Sequence, residues 1–275
     1  MRHTLTIGMI ALLTLSACGS SKEDKLQPNY DDGRSVEAMY DDATTALKEG
    51  RYIEASHLFQ EVERQHPYSQ LAVKSQLNTA YAAYKDLRYD EAIVALDRFV
   101  ELHPGNDDVP YALYLKALSY YEQISDVRRD QEITLLALNA FDALIKRHPD
   151  SSYARDASLK RDLTMDHLAG KEMEVGRYYL SRGQINAGIN RFLVVVRQFD
   201  TTTHVPEALH RLVESYLILG LQDQAVQVAS VLGHNYPGSE WYDASYKLLN
   251  PAQRQQLIEG RNWFDKTIDA ILKPE

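Results

Sequence analysis

A three-point phrase recurs along this chain and leaves few folds open to it. Ala55, Ala92, Ala137, Gly188 and Ala225 are followed four residues later by Phe59, Leu96, Phe141, Phe192 and Ala229. Eight residues beyond those stand Pro67, Pro104, Pro149, Asp200 and Pro237. A small residue with a large apolar one a helical turn later describes a helix crossing close to its predecessor, and the proline stops it. Successive copies are 37, 45, 51 and 37 residues apart, near the tetratricopeptide period. No alternating strand pattern interrupts them. The chain is therefore expected to be all-α: a tetratricopeptide-type solenoid of helical hairpins, with about five repeats and a C-terminal capping helix.

The first unit runs from Ser35 to His66. Met39, Ala43 and Ala46 mark its first helix, Gly50-Arg51-Tyr52 its turn, and Ala55, Leu58, Phe59 and Val62 the face of its second helix. The next unit repeats the plan with Ala80, Ala83, Tyr89, Ala92, Leu96 and Phe99. The longer spacings have two expected causes. A charged loop from Gln123 to Gln131 interrupts the third hairpin, and one long helix from about Ser152 to Ser181 opens the fourth. Gly170 and Gly176 weaken that helix without ending it. Beyond Pro251, the residues Leu257, Ile258, Trp263, Phe264, Ile268 and Ile271 fit a helix covering the last apolar face.

The N-terminus has a different composition. Arg2 and His3 precede an apolar stretch from Leu5 to Leu15, too short to span a bilayer and typical of an export signal. It ends in Leu15-Ser16-Ala17-Cys18, which resembles a bacterial lipobox, and Cys18 is the sole cysteine. The alternative is an ordinary signal peptide with an incidental cysteine. On the lipobox reading Cys18 carries acyl chains, and more than one chain anchors stably at about 0.8 kcal/mol per buried methylene. Gly19, rather than Asp, follows it. By likeness to enteric lipoproteins this points to the outer membrane, on its periplasmic face. Residues 19–34 are almost free of apolar side chains and read as a solvated tether. The expected organisation is a leader over 1–17, acylated cysteine and tether over 18–34, repeats over 35–150 and 151–249, and a cap over 250–275. Net charge is −9, and −10 without the leader. That balance argues against nucleic acid, whose phosphates require a basic surface.

Catalytic motifs are lacking: there is no His-Glu-x-x-His, no nucleophile elbow and no phosphate loop. His66, His103 and His148 recur before proline at repeat ends, where they read as helix-terminal residues rather than ligands. His204 and His210 are too poorly spaced to share a helix face. No cofactor, metal or enzymatic activity is expected.

More specific strings lie within the repeats: Val109-Pro110-Tyr111-Ala112-Leu113-Tyr114-Leu115, Tyr120-Tyr121-Glu122-Gln123-Ile124 and Arg129-Asp130-Gln131. Two more are His148-Pro149-Asp150-Ser151-Ser152-Tyr153-Ala154-Arg155-Asp156-Ala157 and Glu174-Val175-Gly176-Arg177-Tyr178-Tyr179. Together with the lipobox these closely resemble the BamD (ComL) family, lipoproteins of the machinery that assembles outer-membrane β-barrels. The resemblance covers roughly Ser35 to Tyr236. Asp200-Thr201 departs from it, standing where the family has a Pro-Asp terminator.

That resemblance implies a non-enzymatic subunit that binds the periplasmic domains of BamA beside other lipoproteins of the machinery. It also implies recruitment of unfolded outer-membrane proteins through their C-terminal signal, with the membrane touched by the lipid anchor alone. Threaded on tetratricopeptide geometry, Tyr40, Tyr81, Tyr84, Tyr111, Tyr114 and Tyr121 fall on first helices facing the groove. Tyrosine joins rigid apolar area to one hydroxyl, which suits an extended aromatic-ended segment. Lys48, Lys74 and Lys85 stand where they could meet a terminal carboxylate. The bland alternative makes several of these tyrosines half-buried spacers. Arg177, Arg182, Arg191 and Arg197 gather around the fourth hairpin, and by resemblance Arg191 matches the family's arginine at the BamA contact. Their alternative is a solvated face with local pairs such as Glu174–Arg177. The rival function is that of another periplasmic tetratricopeptide lipoprotein, a pilotin-like secretin or pilus assembly factor or an envelope-division coordinator. A pilotin-like chain would have regular 34-residue repeats, and a coordinator an N-terminal coiled coil that residues 19–34 do not supply.

Overall fold

A computed structural model describes residues 33–259, and the folded unit begins at Ser35. The described residues form helices without strands, in antiparallel hairpins. The first pair is α1 (Val36–Lys48) and α2 (Tyr52–Gln65), the second α3 (Gln70–Lys85) and α4 (Tyr89–Leu102). The third is α5 (Val109–Tyr121) and α6 (Glu132–Arg147), and the fourth α7 (Ala154–Ser181) and α8 (Ile185–Gln198). A fifth, α9 (Val205–Ile218) and α10 (Gln222–Asn235), is followed by α11 (Glu240–Leu248) and α12 (Pro251–Glu259). The expected solenoid is the one observed.

The recurring phrase performs the packing its spacing suggests. Ala55, Ala92, Ala137 and Ala225 have no exposed surface, and neither have Phe59, Leu96, Phe141 and Phe192. Alanine lets the paired backbones approach, and the larger side chain fills the space a turn further on. His66, His103 and His148 are the residues that close α2, α4 and α6, each with φ near −130°. Phe199 adopts the same backbone at the end of α8 with Asp200 behind it, so the proline there is dispensable. His103 Nε2 meets Gln76 Oε1 at 2.7 Å. One repeat away in either direction that glutamine is replaced by Met39 or Leu113, and the buried His66 and His148 Nε2 atoms have no partner among the described residues.

Successive first helices touch, α1 with α3, α3 with α5 and α9 with α11. In the first three hairpins the second helices do not approach one another as closely. Closer spacing on one side curves a stack toward that side, so the first helices line its inner face.

The long helix joins two cores. Tyr153 and Ala157 at its start pack with Leu77, Phe99, Leu115 and Phe141. Ala169 and Met173 further on pack with Phe192, Leu209, Leu212 and Leu232. Its glycines mark close approaches. A Cβ at Gly170 would lie 3.2 Å from the His204 ring and 3.4 Å from Val127 of the 123–131 loop. The loop is also pinned on either side of that point. His167 Nε2 donates to the Ser125 carbonyl at 2.9 Å, and Lys171 Nζ to the Arg128 carbonyl at 2.9 Å. Both irregular spacings in the sequence thus meet at one place, since the extension of α7 seats the insertion of the third repeat.

The cap is larger than the sequence suggests. The short α11 packs on α9 and α10, in the place of a sixth first helix, and α12 packs on α10. Leu249 and Leu257 are buried in the last core. Asn250 and Gln253 bond reciprocally at the start of α12, backbone N–H to side-chain oxygen at 2.7 and 2.9 Å, which fixes where that helix begins. Ile258, Trp263, Phe264, Ile268 and Ile271 lie outside the residues whose side chains are described.

Candidate functional site: a tyrosine patch on the inner helices

Proximity along the helices places Tyr81 and Tyr84 on α3 beside Tyr111 and Tyr114 on α5, and the structure adds a ring absent from the expected set. Tyr153, at the entry to α7, stacks on Tyr114 with ring centroids 5.3 Å apart and leans on Tyr111 at 5.4 Å. Tyr84 meets Tyr89, the first residue of α4, at 5.7 Å. Tyr40 and Tyr121 turn edge-on to the second helices of their hairpins, against Phe59 and Phe141 at 5.6 and 5.9 Å. Tyr40 also accepts a bond from Asn78 at 2.9 Å. Four of the six expected tyrosines, with Tyr153, therefore form one patch, while Tyr40 and Tyr121 brace hairpins. All six are half-buried.

Burial and their acidic neighbours push the phenols of Tyr84, Tyr111 and Tyr114 up, so they stay protonated as O–H donors. The Tyr114 hydroxyl donates to Asp156 Oδ2, which Lys160 Nζ also meets at 2.9 Å. These two partners hold the Asp156 carboxyl below its ordinary range, the Tyr114 bond more than the Lys160 one. Tyr81, Tyr84 and Tyr111 have hydroxyls without a protein partner among the described residues. Lys48, Lys74 and Lys85 are exposed and make no ion pair among the described residues. The patch thus offers flat apolar area, unspent donors and nearby positive charge.

The arginines do not converge. Arg177 reaches from α7 to Glu207 on α9 at 3.0 Å, and to Glu174 at 3.4 Å. Its guanidinium joins a chain in which Glu207 meets Arg211 at 3.3 Å and Arg211 meets Glu214 at 2.8 Å. Arg182 closes α7 with its guanidinium 5.4 Å from the centre of the Tyr178 ring. Arg191, on α8, bonds Glu172 at 3.0 Å yet stays 43% exposed. Arg197 is exposed six residues further along, roughly 120° around the helix from Arg191. Arg128, Arg129 and Lys171 gather instead around a cleft of about 530 Å³, which Val194 and Glu172, the partner of Arg191, also line. Adjacency in sequence suggested one basic cluster; the helical turn divides it.

Among the described residues no group of three or more His, Cys, Asp or Glu side chains is placed to hold a metal ion. No described helix is long and apolar enough to cross a membrane. Cys18 and its lipobox lie outside the described residues.

A family model described as an outer membrane lipoprotein, YfiO, matches residues 32–232. A Caulobacter vibrioides protein named outer membrane protein assembly factor BamD is 47% identical over 258 residues, covering 94% of this chain and 84% of that one. The chain belongs to the BamD family. The factor of the same name from Rickettsia prowazekii is 43% identical over 249 residues, 90% of this chain and 96% of its own. That of Neisseria meningitidis serogroup B is 35% identical over 261 residues, 91% of this chain and 96% of its own. The tyrosine patch, the pinned loop and the long α7 all fall within the part of this BamD-family chain that the family model matches.

Proposed function

We propose that this chain is a non-enzymatic recruitment subunit in the assembly of outer-membrane β-barrel proteins. It is held at the outer membrane, facing the periplasm, by acyl chains on Cys18. Unfolded barrel precursors bind along the first helices of the second to fourth hairpins, in extended conformation, over Tyr81, Tyr84, Tyr111, Tyr114 and Tyr153. The observation that carries this reading is the gathering of those five tyrosines on one core, three of them in ring contact through Tyr153, beside lysines without ion-pair partners among the described residues. A β-signal is extended, alternates apolar and polar side chains and ends in an aromatic residue with a carboxylate. Phenol faces receive the apolar side chains, unspent hydroxyls meet its backbone carbonyls, and Lys74 or Lys85 meets the carboxylate.

The fourth hairpin contacts the periplasmic domains of BamA, with Arg191 as the principal side chain. Arg191 is preferred because it pairs with one carboxylate, Glu172, where Arg177 pairs with two, Glu207 and Glu174. A carboxylate from the partner can exchange for Glu172 on a guanidinium still 43% exposed. Arg191→Glu tests this by co-purification from native membranes in mild detergent. The wild-type chain is expected to bring down a β-barrel protein, and the variant to lose most of it. Equal recovery removes Arg191 from the interface, and recovery of a secretin or division protein instead overturns the function.

A further inference from the structure

Four of the hairpin turns share one backbone geometry, and one of the four has an unexpected residue in it. Where α1 ends, Gly50 N–H bonds the Leu47 carbonyl and Arg51 N–H the Ala46 carbonyl, at 3.2 and 2.9 Å. The same pair of bonds closes α7 at Gly183 and Gln184, and α9 at Gly220 and Leu221. The pivot must be left-handed: φ is +77° at Gly50, +71° at Gly183 and +75° at Gly220. At the end of α3 the bonds recur, Leu87 N–H to Tyr84 and Arg88 N–H to Ala83, at 3.0 and 2.9 Å. The pivot there is a leucine with φ +61°, the only non-glycine with positive φ among the described residues.

Leucine is poorly suited to that position on two counts. Its Cβ crowds the following carbonyl in the left-handed region. Its side chain gains little from the fold in return, since Leu87 is 70% exposed. A residue that is strained and also exposes apolar surface does not serve the isolated chain, and strain of this kind is retained where something outside the fold uses it. The neighbours indicate what does. In the sequence Leu87 falls between Tyr84, a ring of the patch, and Tyr89, which meets Tyr84 at 5.7 Å, and it follows the exposed Lys85 by two residues. It therefore stands at the rim of the tyrosine patch.

We infer that Leu87 is a specificity-determining residue of that groove, an apolar contact for a side chain of the extended segment bound there, kept at a glycine position at the expense of fold stability. The inference rests on the groove reading above. The two effects have opposite signs, which separates this role from a structural one. Leu87→Gly relieves the left-handed backbone by more than it adds to the freedom of the unfolded chain, and is expected to raise Tm by about 1–4 °C. It also removes an apolar contact, and is expected to weaken binding about tenfold if roughly half of a leucine side chain is buried in the complex.

The probe is a fluorescein-labelled ten-residue peptide alternating apolar and polar residues and ending in phenylalanine with a free carboxylate. Binding is read by anisotropy against the full chain in lipid nanodiscs, with melting followed on the same samples. Leu87→Asn, which also tolerates a left-handed backbone, serves as a second variant. Higher melting with weaker peptide binding in both variants supports the role. Higher melting with unchanged binding overturns it, since the leucine is then strained without serving the groove. Lower melting overturns the premise that Leu87 occupies a glycine position at a cost. A wild-type chain that does not bind the peptide overturns the groove reading itself, and this inference with it.

Discussion

Gly176→Ala isolates a close helix crossing. Gly176 stands in α7 where Ala43, Ala80 and Ala117 stand in the first three hairpins, and it faces Phe192 of α8. A methyl group there would lie 2.5 Å from Phe192 Cε1, 2.8 Å from Cζ and 3.0 Å from Cδ1. Carbon atoms in contact prefer about 3.5–4.0 Å, so the ring must retreat by about 1 Å. It has no free space to enter, because Phe192 is fully buried among Met173, Val195 and Leu209. Overpacking of this kind costs about 1–3 kcal/mol. Alanine gains about 1 kcal/mol over glycine in helix propensity, which offsets part of that cost. The net expectation is a loss of about 0–2 kcal/mol, read as a lower urea midpoint at unchanged slope. Phe192→Leu vacates the ring's volume, so Gly176→Ala should cost little or become stabilising in that background. A coupling of about 1–2 kcal/mol in the double-mutant cycle is therefore expected. A Gly176→Ala protein more stable than wild type by the full helix-propensity gain of about 1 kcal/mol, or strict additivity with Phe192→Leu, would refute the close-crossing account of this hairpin.

Two further outcomes follow from the electrostatics. Glu214 is held at a pKa of about 2 by its contact with His210 and its pair with Arg211, against an ordinary 4.5. The folded value lies below the unfolded one, so this stabilisation is complete above about pH 4.5 and is lost as pH falls toward 2. Glu214 keeps some solvent contact, which reduces the effect to about 1–2 kcal/mol. Urea midpoints measured at pH 5 and pH 3 should therefore fall further for wild type than for Glu214→Gln; parallel falls would remove the pair from the account. In the groove, Tyr114→Phe deletes the strongest influence on Asp156, and the Asp156 carboxyl should titrate closer to its ordinary range by NMR. An unchanged titration would mean that Lys160 alone sets it.

The fold was legible because the phrase that encodes it is local. A small residue and an apolar one four positions apart share a helix face whatever the rest of the chain does. The long α7 followed from the same register, as did the loop before it. That the first seats the second was not legible, since His167 and Lys171 meet residues 125–129 only once the helices are stacked. Tyr153 was missed because it enters from the segment ahead of an extended helix, where the repeat register no longer applies. Leu87 is different, because Gly50 lies one 37-residue repeat before it and the substitution could have been read from the alignment alone. The arginines misled by sequence proximity. Arg177 pairs with Glu207 on α9 while Arg191 pairs with Glu172 on α7, and only the ion pairs separate them.

The central claim is that the inner tyrosine patch receives unfolded barrel precursors. A photoreactive phenylalanine in place of Tyr81, irradiated in living cells, tests it most directly, with the same substitution at the outward-facing Val94 as the comparison. Crosslinks to outer-membrane barrel precursors from position 81 and not from position 94 are expected. Precursor crosslinks equal at both positions, or confined to position 94, would contradict the claim.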